Sequence, residues 1–235
     1  MALPVFNDIP KYDLTIPSTN EKVRFRPFLV KEQKILLMAM ESKDQSKILD
    51  SITDTLTACF VDVKVDQLTT FDVEYMFTQL RGKSVGETST LSVYCAECEE
   101  TNEYIINLDD IKIDLPEVNN KIVLDEKYTL QMRYPRYTHM LKNELLKKSD
   151  SATEQVYEMI IGCMDCLLTE EERISFDEET KSELSNFLGS LNTDQFEKIM
   201  TFVNAIPKLE KEIEFDCTKC GHHNKLVVEG INDFF

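Results

Sequence analysis

Four of the seven cysteines stand in two C-x-x-C pairs with strand-like sequence on either side. Cys95 and Cys98 lie in "TLSVYCAECEETNEYIINL" (90–108), and Cys217 and Cys220 in "EFDCTKCGHHNKLVVEG" (214–230). A C-x-x-C turn at the tip of a hairpin aims two thiolates at one point, and two such knuckles supply the four sulfurs of a closed tetrahedral zinc site. The spacing predicts a single zinc held by Cys95, Cys98, Cys217 and Cys220. Between Cys98 and Cys217 lie 118 residues, far more than the loop of a zinc ribbon, so the fold has to bring the pairs together. A closed four-sulfur site leaves no position for water or substrate. Such a metal is structural, worth on the order of 10 kcal/mol of folding free energy at neutral pH.

Other chemistry-bearing residues read as bland. Cys163 and Cys166 form a third C-x-x-C, but "GCMDCLL" has a helical pattern without knuckle glycines, and buried cysteine behaves as a small apolar residue. His222 and His223 follow the second knuckle directly, where the turn geometry is already filled by its thiols; they read as exposed residues or as donors to sulfur. His139 lies in a charged helical stretch with no evident partner. The G-K-S at 82–84 lacks the phosphate-loop glycine, since position 77 is Phe, and follows a helical segment. With no Ser-His-Asp or Cys-His set legible, the expectation is a protein that binds and builds, not an enzyme.

Two matching half-chains are expected to position the knuckles. The first half runs "NEKVRFRPFLVKEQKILLMAMES", "SKILDSITDTLTACF" and "LTTFDVEYMFTQLRG" before its knuckle. The second runs "DEKYTLQMRYPRYTHMLKNELLKKS", "TEQVYEMIIGCMDCLL" and "LNTDQFEKIMTFVNAIPKL" before its own. Each reads as a strand, two helices, a third helix and a knuckle, with an extra stretch, "TEEERISFDEETKSELSN", in the second. Ile48, Ile52, Leu56 and Cys59 follow the 3.6-residue period, as do Val156, Ile160, Cys163 and Leu167. Asp66 or Thr69 is placed to cap the third helix of the first half, and Thr193 that of the second. The expected fold is α+β, an internal duplication of two helical repeats that each end in a β-hairpin zinc knuckle and share one four-cysteine zinc site. Its parts are an extended arm (1–20) carrying Pro4, Pro10 and Pro17, a first repeat (21–113), a Pro- and Asn-containing linker (114–121) and a second repeat (122–235). The arm reads either as lying along a neighbour or as disordered. The closing "INDFF" docks either on the chain's own core or on a partner.

The bulk numbers narrow the function. With 26 Lys and Arg against 43 Asp and Glu, the net charge of −17 leaves no excess to neutralise phosphates. It fits solubility, or contact with basic protein surfaces. No apolar run reaches the roughly 18 to 20 residues of a membrane span. The opening "MALPVFNDIPKYDL" lacks the pattern of a signal peptide, and an odd cysteine count then points to a reducing compartment.

Two long segments carry a resemblance. "LTIPSTNEKVRFRPFLVKEQKILLMAMES" (14–42) resembles the opening of the baseplate hub and hub-assembly proteins of T-even-like contractile-tailed bacteriophages, and "LTTFDVEYMFTQLRGKSVGE" (68–87) is similar to their next well-marked segment. The likeness is close over the first half and looser over the second. It implies a structural subunit of the phage tail baseplate hub, with other tail and hub proteins as partners and no catalytic residue. Such a protein is assembled in the host cytoplasm and ends in the virion tail baseplate. A transient assembly factor (chaperone) for the hub is the alternative within that family. A zinc-ribbon regulatory protein binding nucleic acid is the alternative outside it, and Glu97, Glu99, Glu100 and Asp216 around the knuckles carry the wrong charge for phosphate.

Overall fold

A computed structural model describes residues 9–138 and 151–233. Pro4, His139, the rest of the expected helix through 149, and Phe234 and Phe235 lie outside these residues. The fold is mixed α and β, with short antiparallel sheets. Among the described residues, no helix is long and apolar enough to cross a membrane. The chain forms two compact units. Asp66–Thr70 already group with the second unit; the main passage into it falls between Asp114 and Leu115, within the expected linker, and the chain returns to the first at Lys208.

The first unit starts with a hairpin of β1 (Tyr12–Thr15) and β2 (Lys22–Phe25). Asn20 makes its turn possible by adopting a left-handed conformation at φ 56°, which Asn tolerates better than most side chains. Three helices follow: α1 (Val30–Ser42), α2 (Gln45–Cys59) and α3 (Thr70–Ser84). The Asp44 side chain caps α2 by accepting from the Ser46 amide at 3.0 Å. Ile52, Leu56 and Cys59 of the expected stripe are buried, and Ile48 is half-buried.

Two further hairpins complete this unit. β3 (Thr88–Tyr94) pairs with β4 (Thr101–Asn107), and β9 (Glu210–Asp216) pairs with β10 (His223–Glu229), before the short α7 (Gly230–Asp233). Adding 122 to each number of the first hairpin gives the bounds of the second, and the register carries over: Tyr94 faces Thr101 as Asp216 faces His223. Alternate residues point inward, so Leu91, Val93, Ile106, Ile213 and Val228 join one apolar cluster with Leu108, Ile111 and Leu209.

The second unit carries a four-stranded antiparallel sheet in sequence order: β5 (Lys121–Val123), β6 (Thr129–Met132), β7 (Met164–Leu168) and β8 (Arg173–Ser175). Helices α4 (Ala152–Cys163), α5 (Lys181–Gly189) and α6 (Thr193–Asn204) belong with it. Its core joins Leu130, Met132, Ile160, Cys163, Ile199 and Phe202. One detail recurs in both units. The Arg26 amide donates to the Cys59 carbonyl at 3.0 Å, and the Arg133 amide to the Cys163 carbonyl at 2.7 Å. Each arginine follows the second strand of a hairpin, and each cysteine ends a helix.

Several expectations need correction. The helix through "GCMDCLL" stops at Cys163, and Cys166 and Leu167 lie in β7, where pairing with β6 and β8 outweighs the helical period. Within residues 1–20, Tyr12–Thr15 is a paired strand, Leu14 and Ile16 are buried, and Ser18 is bonded to Asp72 of α3. The second knuckle hairpin clusters with the first unit, because Leu209, Ile213 and Val228 pack on the apolar face of the first hairpin. Asn192, not Thr193, caps α6 and exchanges hydrogen bonds with Gln195 at 2.9 Å in both directions. Each half begins with a two-stranded hairpin where a single strand was expected, and the extra stretch of the second half supplies β8 and most of α5.

Candidate metal centre

The tips of the two knuckle hairpins meet. The Sγ atoms of Cys95, Cys98, Cys217 and Cys220 all lie within 4.8 Å of one another. Cys95 Sγ is 3.6 Å from Cys220 Sγ, and Cys98 Sγ is 3.6 Å from Cys217 Sγ. A tetrahedron of sulfurs about 2.3 Å from a zinc has edges near 3.8 Å, so these separations suit a metal. They are far too long for a disulfide bond of about 2.05 Å, and all four cysteines are free.

The backbone of each knuckle is shaped to stabilise thiolates. Cys95 Sγ accepts from the amides of Glu97 and Cys98, and Cys217 Sγ from those of Lys219 and Cys220. Cys98 is served by the Glu100 amide and Cys220 by the His222 amide. The same turn closes both tips: the Cys95 amide donates to the Glu100 carbonyl and the Cys217 amide to the His222 carbonyl, each at 2.9 Å. The residue after the second cysteine is left-handed in both, Glu99 at φ 56° and Gly221 at φ 72°. Glycine fits that conformation without strain, whereas Glu99 adopts it at some cost.

Each knuckle also sends an asparagine across to the other. Asn102 Nδ2 points at Cys217 Sγ at 3.8 Å, and its Oδ1 accepts from the Thr218 amide at 2.9 Å. Asn224 Nδ2 points at Cys95 Sγ at 3.6 Å, and its Oδ1 accepts from the Ala96 amide at 2.9 Å. Both asparagines are buried. Sequence reasoning missed them, although the signal was present: CAECEETN and CTKCGHHN share the pattern C-x-x-C-x-x-x-N. An exposed ion pair between Lys219 and Glu100, 2.6 Å apart, adds a further link between the tips.

The thiols differ in acidity. Hydrogen bonds from the backbone amides of Cys220 and Lys219, and from the thiols of Cys98 and Cys220, draw Cys217 down to about 6. Cys98 has the Glu100 amide in its favour, yet burial and the neighbouring thiols of Cys220, Cys217 and Cys95 push it up to about 12. A metal entering the cluster displaces the remaining protons.

Other candidate residues stay out of this cluster. His223 is exposed and pairs through Nδ1 with Asp216 at 2.8 Å, and His222 contributes only its backbone. Cys163 and Cys166 are buried in the second unit, on a helix end and a strand. Burial raises both thiols, Cys163 to about 12. Gly82, Lys83 and Ser84 form the last turn of α3, where Lys83 pairs with Glu87 and Asp109.

Residues 9–235 match the family described as T4 bacteriophage base plate protein. The chain belongs to this family. No curated protein and no solved structure matches it. The match spans both units and both knuckles, so the resemblance seen at 14–42 and 68–87 extends over nearly the whole chain. A base plate protein has the other proteins of the phage tail as its partners and the tail base plate as its place. In this family member the four sulfurs could hold a metal ion.

Proposed function

We propose that this base plate protein is a structural subunit of the hub, binding neighbouring tail proteins through a scaffold stapled by one zinc at Cys95, Cys98, Cys217 and Cys220. The observation that carries the reading is the reciprocal joining of two like knuckles, each filling the other's hydrogen bonds, in a chain that belongs to the base plate family. A metal shared between residues so distant in sequence locks one preformed surface, which lowers the ordering cost of each partner contact. The donor set fits zinc, with four thiols and amide donors to sulfur. The protein acts by contact and not by catalysis.

The architecture is an internal duplication. The shared offset of 122 across the knuckle hairpins supports this, as do the matching Arg26–Cys59 and Arg133–Cys163 hydrogen bonds. The repeats run through 21–113 and 122–235 along the sequence, and the second lends its hairpin to the first compact unit. The chain is assembled in the host cytoplasm and retained in the tail. The surroundings of the knuckles, with Glu97, Glu99, Glu100, Glu214 and Asp216, disfavour nucleic acid as a partner.

Mass spectrometry of purified virions tests the hub reading. A structural subunit is found in finished particles at a fixed ratio to the other hub proteins. Its absence from virions, with presence in assembly intermediates, would make it a transient assembly factor instead.

A further inference from the structure

Helix α1 covers little of its own apolar surface. Its buried residues, Glu32, Leu36 and Ala39, follow the helical period along one face. On the opposite face stand Val30, Lys34, Leu37 and Glu41, spaced 4-3-4 as in the seam of a paired helix, with Met38 beside them. Val30 is 80% exposed, Met38 60% and Leu37 53%. The stretch "ILLMAM" (35–40) is apolar all round, a pattern of buried helices, yet only Leu36 and Ala39 in it are covered. Exposed apolar side chains gathered in one place mark a surface that meets another molecule.

The charges on this face select that molecule. Lys34 and Glu41 are seven residues apart, so they stand about 5 Å to either side of the level of Leu37 and Met38. Both are exposed, and among the described residues neither has an ion-pair partner in its own chain. Glu41 lies in the last turn, where the helix dipole disfavours a carboxylate. A second α1, packed antiparallel about a two-fold axis at Leu37 and Met38, brings its Glu41 to Lys34 and its Lys34 to Glu41. The apolar side chains of the two copies then meet in the middle. A parallel partner would set Lys34 against Lys34 and Glu41 against Glu41, which repel. Net charge keeps two copies of a −17 chain apart over most of their surface. Residues 29–43, with three lysines against two glutamates, are a local exception.

We propose that α1 is a self-association surface, through which two copies of this chain pair antiparallel along Val30, Lys34, Leu37, Met38 and Glu41. The contact lies within the first unit and depends on neither the metal nor the hub reading. Two 13-residue helices make an interface at the small end of the range, below roughly 1,200 Å² in total, so the dimer is a weak one.

Sedimentation equilibrium of the purified full chain at low salt tests this. The wild type shows a monomer–dimer equilibrium with a Kd of about 1 to 100 μM. Lys34→Glu and Glu41→Lys each turn both charged contacts repulsive and weaken the dimer about 10-fold. Two rescues separate pairing from damage to the helix. The double variant K34E/E41K dimerises like the wild type, and an equal mixture of the two single variants forms a heterodimer. Met38→Glu leaves a monomer with the circular dichroism of the wild type. A wild type that stays monomeric up to about 1 mM overturns the inference, and a complex with another tail protein that Met38→Glu then abolishes would give the seam to that protein. A dimer that ignores both charge variants, or a double variant as weak as the singles, overturns it as well.

Discussion

Asn102 and Asn224 each serve the knuckle to which they do not belong. Asn102 holds Cys217 and Thr218, and Asn224 holds Cys95 and Ala96, through the same two atoms at nearly the same distances. Replacing either with Ala leaves a backbone amide of the other knuckle without its acceptor and a sulfur without its donor. Each single variant should bind zinc roughly 10- to 100-fold more weakly, the range seen when partners of metal ligands are removed. Competition with a chromogenic chelator measures this. Wild-type affinity in both variants would show that the asparagines merely fill space.

The metal itself is open to direct count. Plasma emission analysis of the purified chain should find about one zinc per molecule, since the four sulfurs gather in one cluster within 4.8 Å of one another. Serine at Cys95, Cys98, Cys217 or Cys220 should lower both zinc content and melting temperature. Two zincs per chain, or full occupancy in Cys217→Ser, would rule out the shared site.

Cys163 and Cys166 should be dispensable for that metal. Both are buried in the second unit, and Cys163→Ala or Cys166→Ala removes only a small group from a packed core. A cost of about 1 kcal/mol each is expected, read from denaturant titration, with zinc retained. Loss of metal in either variant would mean that the ligands are misplaced.

The sequence disclosed the site better than the frame around it. Paired cysteines at fixed spacing carry their own geometry, so all four ligand candidates were legible. The asparagines act through space from one knuckle to the other, and only alignment of the two knuckles at an offset of 122 exposes them. Cys166 misled because Ile160, Cys163 and Leu167 keep a helical period across a helix-to-strand junction, and sheet pairing at β7 leaves no mark in a single segment. The grouping of the second knuckle with the first unit depends on Ile213 and Val228 sharing one apolar cluster with Leu91 and Val93, residues more than a hundred positions away in sequence.

Glu74 of α3 gives a pH signature. Burial pushes its carboxyl up from the usual carboxylate range to about 7, although the Leu209 amide hydrogen-bonds to it. A raised folded pKa contributes stability that is full below the unfolded value and lost as pH rises through 7. Between pH 4 and pH 8 the wild type should therefore lose up to about 3 kcal/mol that Glu74→Gln does not lose. Denaturant titrations of both zinc-loaded proteins at several pH values isolate the difference, because the thiols are common to both. Parallel curves would show that Glu74 is ionised without penalty.

The surface charge makes the last prediction. A chain of net charge −17 meets a neighbour most readily through that neighbour's basic face. Co-expression with the phage's tail and hub subunits should yield a stable complex whose affinity falls as salt shortens the screening length from about 10 Å at 0.1 M toward about 3 Å at 1 M. Cys217→Ser should weaken the same complex, because a knuckle pair freed from its metal has to be ordered at the moment of binding. Salt then acts mainly on the association rate, and loss of zinc mainly on the dissociation rate. Surface plasmon resonance separates the two. A complex indifferent to both would place the contact on an apolar surface away from the knuckles. A chain that stays monomeric beside every tail protein of its phage, yet turns over a small substrate, would overturn the binding role altogether.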